Sequence, residues 1–347
     1  MKSIKRHIIY FWVPTIILAG FFHSHLVFAE VGPVSKNAVA SDVKITREEI
    51  TSADVFQRAQ VFQNELKLIC YELGVSQAEA MSLQVSNAEM RDVYYQAIQL
   101  FERSRELSIE YQGYPSTDES SLFLNDPQAF DVWTVMGSAL EYLNGIKKKL
   151  GTLNQEGDGL PRDNSNQPNL NNLLTMMIQL NHEMDAASPQ GVSLSDGYQG
   201  ITFAIGYSAR LLSVFPDAKR IPDAPPIEHG KRLIDVKERL IQCDHFIREI
   251  ARVSQVPLLS VEQKNDVKSH VTSSDIYDFS FLLVAKLSAL HNRLKDSQAL
   301  PEAYFSGQKI PAQLHQRAGI LEDQLSQLVQ FVKANPKWLE TTEMSHE

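Results

Sequence analysis

Asn154, Glu156 and Asp158 place oxygen donors at alternate positions ahead of Gly159, the pattern by which an EF-hand loop surrounds calcium. The twelfth position is Ser165 where that loop needs a bidentate glutamate. Gly157, Pro161, Asn164, Asn166 and Pro168 make the stretch read as a polar loop. Beyond the leader the histidines are scattered, at His182, His229, His245, His270, His291, His315 and His346, and none forms a His-x-x-x-His pair. Cys243 and His245 stand two apart, on different faces of a helix. A zinc site has no support at a recognised spacing. Gly206-Tyr207-Ser208-Ala209-Arg210 approaches a nucleophile elbow but ends in arginine where the sharp turn needs a second glycine. Neither a phosphate-cradling glycine loop nor a dinucleotide fingerprint is present. The residues therefore assign no catalytic group, metal ligand or cofactor, and the expectation is a non-enzymatic protein.

Two other residue sets invite a role. Cys70 and Cys243 read either as small buried hydrophobes or as a disulfide, which needs Cα atoms within about 7 Å. Tyr111, Tyr114, Trp133, Tyr304 and Phe305 are the candidate contacts for a partner or ligand. In Tyr111-Gln112-Gly113-Tyr114-Pro115 and Tyr304-Phe305 the rings stand where they could anchor a partner or seal the ends of helices.

The elements that must carry these residues announce themselves by a pattern that returns four times. It is a capping residue, an acid or amide three on, and a ring two after that: Thr51-Asp54-Phe56, Asn125-Gln128-Phe130, Ser193-Asp196-Tyr198 and Thr272-Asp275-Tyr277. A hydroxyl or amide cap accepts from free amides of the first turn, and the third residue reaches back to the cap, so each match predicts a helix start. Apolar residues follow on one stripe: Val55, Phe62, Leu66 and Ile69; Met136, Leu140 and Leu143; Leu283, Leu287 and Leu290. The third match departs, with Gly197 and Ser208 on that stripe. Second helices are expected from near Glu89, Pro168, Pro226 and Pro311. Almost nothing reads as a strand; Gly200–Ile205 is β-rich but sits in a helical frame.

These readings predict an all-α chain of four diverged helical-hairpin repeats, packed as a solenoid or as two four-helix bundles. The expected organisation is a signal peptide over 1–29, a leader over 30–50, repeats over 51–115, 125–187, 193–255 and 272–335, and a tail over 336–347. The repeat length is about twice that of a tetratricopeptide unit, but that motif's residue pattern is not met.

The signal peptide rests on Lys2, Lys5 and Arg6, the apolar run from Ile8 to Phe22, and Val27-Phe28-Ala29 before Glu30. Cleavage between Ala29 and Glu30 and a periplasmic or secreted location follow as expectations. An uncleaved anchor is the competing reading. The chain is acidic, with 42 Asp and Glu against 33 Lys and Arg, and loss of the basic leader makes the mature protein more so. That charge disfavours nucleic acid, and no later run is long enough to span a membrane. The expected function is an exported scaffold, adaptor or accessory subunit that binds another protein. The alternative is a periplasmic small-ligand receptor with a pocket inside a bundle, lined by Trp133, Tyr207 and Met176-Met177.

Overall fold

A computed structural model describes residues 47–76, 78–113, 124–152, 169–188, 191–263, 271–295, 297–298, 300 and 307–339. The leader, the Asn154–Gly159 loop, Tyr114, Tyr304 and Phe305 lie outside these residues. The described residues form eight α-helices: α1 Ser52–Leu73, α2 Met90–Gln112, α3 Ala129–Leu150, α4 Leu170–Ala187, α5 Leu194–Leu212, α6 Leu233–Val253, α7 Ser273–His291 and α8 Pro311–Ala334. Two short strands, β1 Leu83–Ser86 and β2 Ser260–Gln263, stand in the connections. None of these helices is long and apolar enough to cross a membrane.

The helix starts share one device. In α1, α2, α3, α5, α6 and α7 an aspartate at the third helical position accepts the backbone N–H of the cap residue. The distance is 2.7–2.8 Å at Asp54, Asp92, Asp131, Asp196, Asp235 and Asp275. Each carboxylate satisfies an orphan donor and faces the positive end of the helix dipole. Two sequence readings are corrected here. The second match is displaced by one step of three: the cap of α3 is Gln128, its acid Asp131 and its ring Trp133, while the Asn125 side chain donates to the Ser297 carbonyl at 2.5 Å. The device also opens α2, as Glu89-Asp92-Tyr94, so it marks helix starts in general and not the first helix of a pair.

The hairpin arrangement is corrected as well. α1 packs on α3 and α4, and α2 packs on the same two; α5 and α6 each pack on α7 and α8. Each half is therefore a closed four-helix ring in which α1 and α2, and likewise α5 and α6, occupy opposite corners. The physical reason lies in the connections: Gly74–Glu89 and Ser213–Arg232 are far longer than the about two to five residues of a tight helical hairpin. They let the chain cross the diagonal of a bundle. Of the two packings left open by the sequence, paired bundles describe these contacts.

Bundle interiors are apolar. Phe62, Leu66, Met136, Leu143, Leu173 and Leu180 are buried in the first, and Leu240, Leu287, Leu321 and Leu325 in the second. Gly200 belongs to this packing, since a Cβ there would lie 2.1 Å from the Ser280 hydroxyl, so glycine sets how closely α5 approaches α7. Gly200–Ile205 is part of α5. α6 starts at Leu233 and not near Pro226. The intervening residues form no helix, because Pro222, Pro225 and Pro226 disfavour helical backbone in the residues before them and remove amide donors.

Candidate functional site

α2 and α7 are buried on nearly every side, and they meet each other as well as their own bundles. Along α2 the positions Asp92, Tyr95, Gln99 and Arg103 recur at helical spacing, all 5% exposed or less. The polar seam they form with α7 joins the two bundles.

Arg103 is its centre. Its Nε donates to Asp185 Oδ1 of α4 at 2.8 Å and its Nη2 to Asp185 Oδ2 at 3.3 Å. The same Nη2 donates to Asp278 Oδ1 of α7 at 2.5 Å, and Nη1 to Asn181 Oδ1 of α4 at 3.0 Å. The guanidinium carbon lies 5.2 Å from the centroid of the Tyr277 ring, and the Ser274 hydroxyl donates to Asp185. A planar five-donor group suits this task, because it can meet two carboxylates and an amide at once. Burial would lower the Arg103 guanidinium, but Asp278 and Asp185 more than offset it and hold the charge firmly.

At the opposite end of the seam Lys286 of α7 is completely buried and donates to Asp244 Oδ1 of α6 at 2.5 Å. Asp244 also accepts from Arg248 Nε at 2.7 Å. Burial lowers the Lys286 ammonium, with Asp244 opposing. Asp92 faces this group from α2. Burial raises its carboxyl to about 6, against the backbone hydrogen bond from Glu89 and the pull of Arg91 and Lys286. Between the two ends Tyr95 and Tyr207 share a hydroxyl–hydroxyl hydrogen bond of 3.0 Å, which ties α2 to α5.

Arg103 of α2 pairs with Asp278 near the start of α7, while Lys286, towards the end of α7, pulls electrostatically on Asp92 at the start of α2, as antiparallel helices would place them. Charge therefore reverses along both helices in complementary order, which fixes one register for bundle against bundle. A second tie is the antiparallel β1–β2 ribbon, pairing Leu83 with Gln263 and Val85 with Val261.

Of the residues singled out from sequence that are described, Tyr207 lies on the seam and the others lie elsewhere. Trp133 is half-buried in α3 beneath the Arg58 guanidinium, 3.3 Å from the ring centroid, and stacks with Phe130. Arg58 Nη1 also donates to the Trp133 carbonyl at 2.6 Å, over Gly137, which has no side chain to block it. Tyr111 packs at the far end of α2, where Gln112 meets Gly145 of α3, so it is remote from Trp133. Cys70 and Cys243 are buried and free. The bridge is not formed: α1 packs on α3 and α4, and α6 on α7 and α8. Tyr207 is buried on the seam and Met177 in the first bundle, with Met176 half-buried against the core. Among the described residues no group of three His, Cys, Asp or Glu side chains is placed to hold a metal ion.

The seam residues were missed because α2 reads from its apolar stripe of Val93, Ala97, Leu100 and Phe101. The available signal was a charge at Arg103 and amides at Gln96 and Gln99 inside a helix with no wholly polar face.

No protein-family model matches the chain, and neither curated proteins nor solved structures give a match.

Proposed function

We propose that the protein is an exported, non-enzymatic scaffold or accessory subunit that presents a helical surface to another protein. The observation that supports this reading is a strap ahead of α6. The segment from Arg220 to Arg232 lies along α8, where Gln324 Nε2 donates to the Arg220 carbonyl at 2.5 Å and Gln316 Nε2 to the Pro225 carbonyl at 2.7 Å. Ile221 is 57% exposed, Ile227 44% and Ile310, at the start of α8, 50%.

Branched apolar side chains held outward by a proline-stiffened, hydrogen-bonded backbone lose little entropy when a partner covers them. Single exposed hydrophobes are ordinary, but several on one anchored segment suit an interface. The export reading rests on the basic and apolar leader.

Site-specific photocrosslinking in the native host tests the proposal. A photoreactive side chain at positions 221, 227 and 310 is expected to capture the same protein, and one at the exposed Lys67 of α1 is expected to capture none. Absence of an adduct at positions 221, 227 and 310, or the same adduct at position 67, would overturn it.

A further inference from the structure

The strap ahead of α6 has a periodicity of its own. Pro222 is buried and Pro225 half-buried, while Ile221, Ala224 and Ile227 are exposed. Pro225 packs on α8 at Gly319, where a Cβ would meet its ring at 2.9 Å. Inward and outward positions therefore each recur every three residues. An α-helix repeats every 3.6 residues and a strand every two, whereas a repeat of three is that of polyproline II. Residues 222–228 belong to no helix or strand.

The sequence enforces such a backbone. Proline fixes φ near −65° at 222, 225 and 226, and a residue before proline is driven from the helical region towards extended backbone, which covers Ile221, Ala224 and Pro225. Only Asp223 among residues 221–226 escapes restriction. The Arg220 and Pro225 carbonyls are already held by Gln324 and Gln316 of α8, so the segment is anchored before any partner arrives.

We propose that the strap is a polyproline II ligand displayed on the second bundle, and that its partner is a protein with an aromatic-lined groove carrying carboxylates at its ends. This rests on the scaffold reading above and adds the class of surface the scaffold meets.

Three observations select that occupant. Addition of a strand needs backbone N–H donors along the edge, and the prolines at 222, 225 and 226 remove them. Polyproline II has no internal hydrogen bonds, so tyrosine and tryptophan side chains of a groove can pack against the Ile221–Ala224–Ile227 edge and donate to free carbonyls. Charge supplies the third. Lys219 pairs with Asp223 at 2.5 Å and Lys231 with Glu228 at 3.0 Å, which leaves Arg220 and Arg232 at the two ends, the latter reaching Asp235 only at 3.9 Å. Cations at both ends of an apolar edge match carboxylates at both ends of a groove. An anionic membrane fits less well, because Asp223, 95% exposed, and Glu228 stand between those cations.

Photocrosslinking of the full chain in the native host, with the captured peptides mapped by mass spectrometry, tests this. A photoreactive side chain at 221, 224 or 227 is expected to capture one protein through peptides bearing Tyr, Trp or Phe beside Asp or Glu, and more strongly at 224 than at 223. Arg220→Glu is expected to lower capture at 227 by about threefold or more with the urea unfolding midpoint unchanged, and Arg220→Lys to retain it. Stronger capture at 223 than at 224, which is the two-residue period of a strand, would overturn the inference while leaving the scaffold reading in place. So would capture of a lipid, of a second copy of this chain, or of peptides without aromatic residues, and so would full capture by Arg220→Glu. Absence of any adduct at 221, 224, 227 and 310 would overturn both. The positional comparison is decisive without the Arg220 variants.

Discussion

The interior of either bundle and the seam face of α2 are both buried, yet they are built from opposite materials. Leu66, Met136 and Leu143 fill the first bundle with apolar side chains, whereas Asp92, Tyr95, Gln99 and Arg103 line one face of α2. Removing apolar surface from water supplies stability without direction, at about 25 cal/mol per Å². Buried charges supply little net stability but tolerate only one alignment, because any slip leaves a charge unpaired in a poor solvent. The bundles therefore hold the chain folded, and the seam decides how the two are set against each other.

The sharpest way to break that contrast is at Arg103. Arg103→Ala strands Asp185 and Asp278 together and is expected to destabilise the protein by about 3–5 kcal/mol in urea unfolding at pH 7.5. The loss is expected to shrink at pH 5 as the stranded carboxyls protonate. Leu143→Ala in the first interior is expected to cost about 3 kcal/mol through lost burial and a residual cavity, equally at both pH values. A pH-dependent loss at Leu143, or a pH-independent one at Arg103, would remove the distinction.

Asp92→Asn sharpens it in the other direction. The Asp92 carboxyl stands at about 6 in the fold against 3.8 as its ordinary value. The folded state thus binds this proton more tightly, and the destabilisation is absent well below the ordinary value and complete above about 6. Asparagine keeps the cap acceptor without the charge. It is expected to stabilise the chain by about 1–2 kcal/mol at pH 7.5 and by almost nothing at pH 4. The smallest effect belongs to the middle of the seam: Tyr207→Phe removes the hydroxyl that Tyr207 shares with Tyr95 and is expected to cost about 1 kcal/mol in the same unfolding experiment.

What the sequence made legible follows from how local each cause is. Helix starts at Thr51, Ser193 and Thr272 could be read because a cap and its aspartate lie three residues apart. Gln128 was missed because its side chain is not a favoured cap, and the motif is completed by Asp131. The apolar stripes were legible for the same reason of spacing. The diagonal connections were not, since a long loop constrains neither direction nor neighbour. Nor was the seam's pairing: Gln96 and Gln99 hint at a polar face around Arg103, but Arg103 meets Asp278 only because two bundles come together, and nothing local names that partner. Trp133, singled out from sequence as a contact, is the ring of the α3 start and carries the Arg58 guanidinium on its face.

The most direct measurement is a double-mutant cycle on Arg103 and Asp278, with Arg103→Met and Asp278→Ala singly and together, by urea unfolding at pH 7.5. A seam that locks bundle to bundle by charge predicts a coupling of about 1–3 kcal/mol between these two helices. A coupling indistinguishable from zero would contradict it.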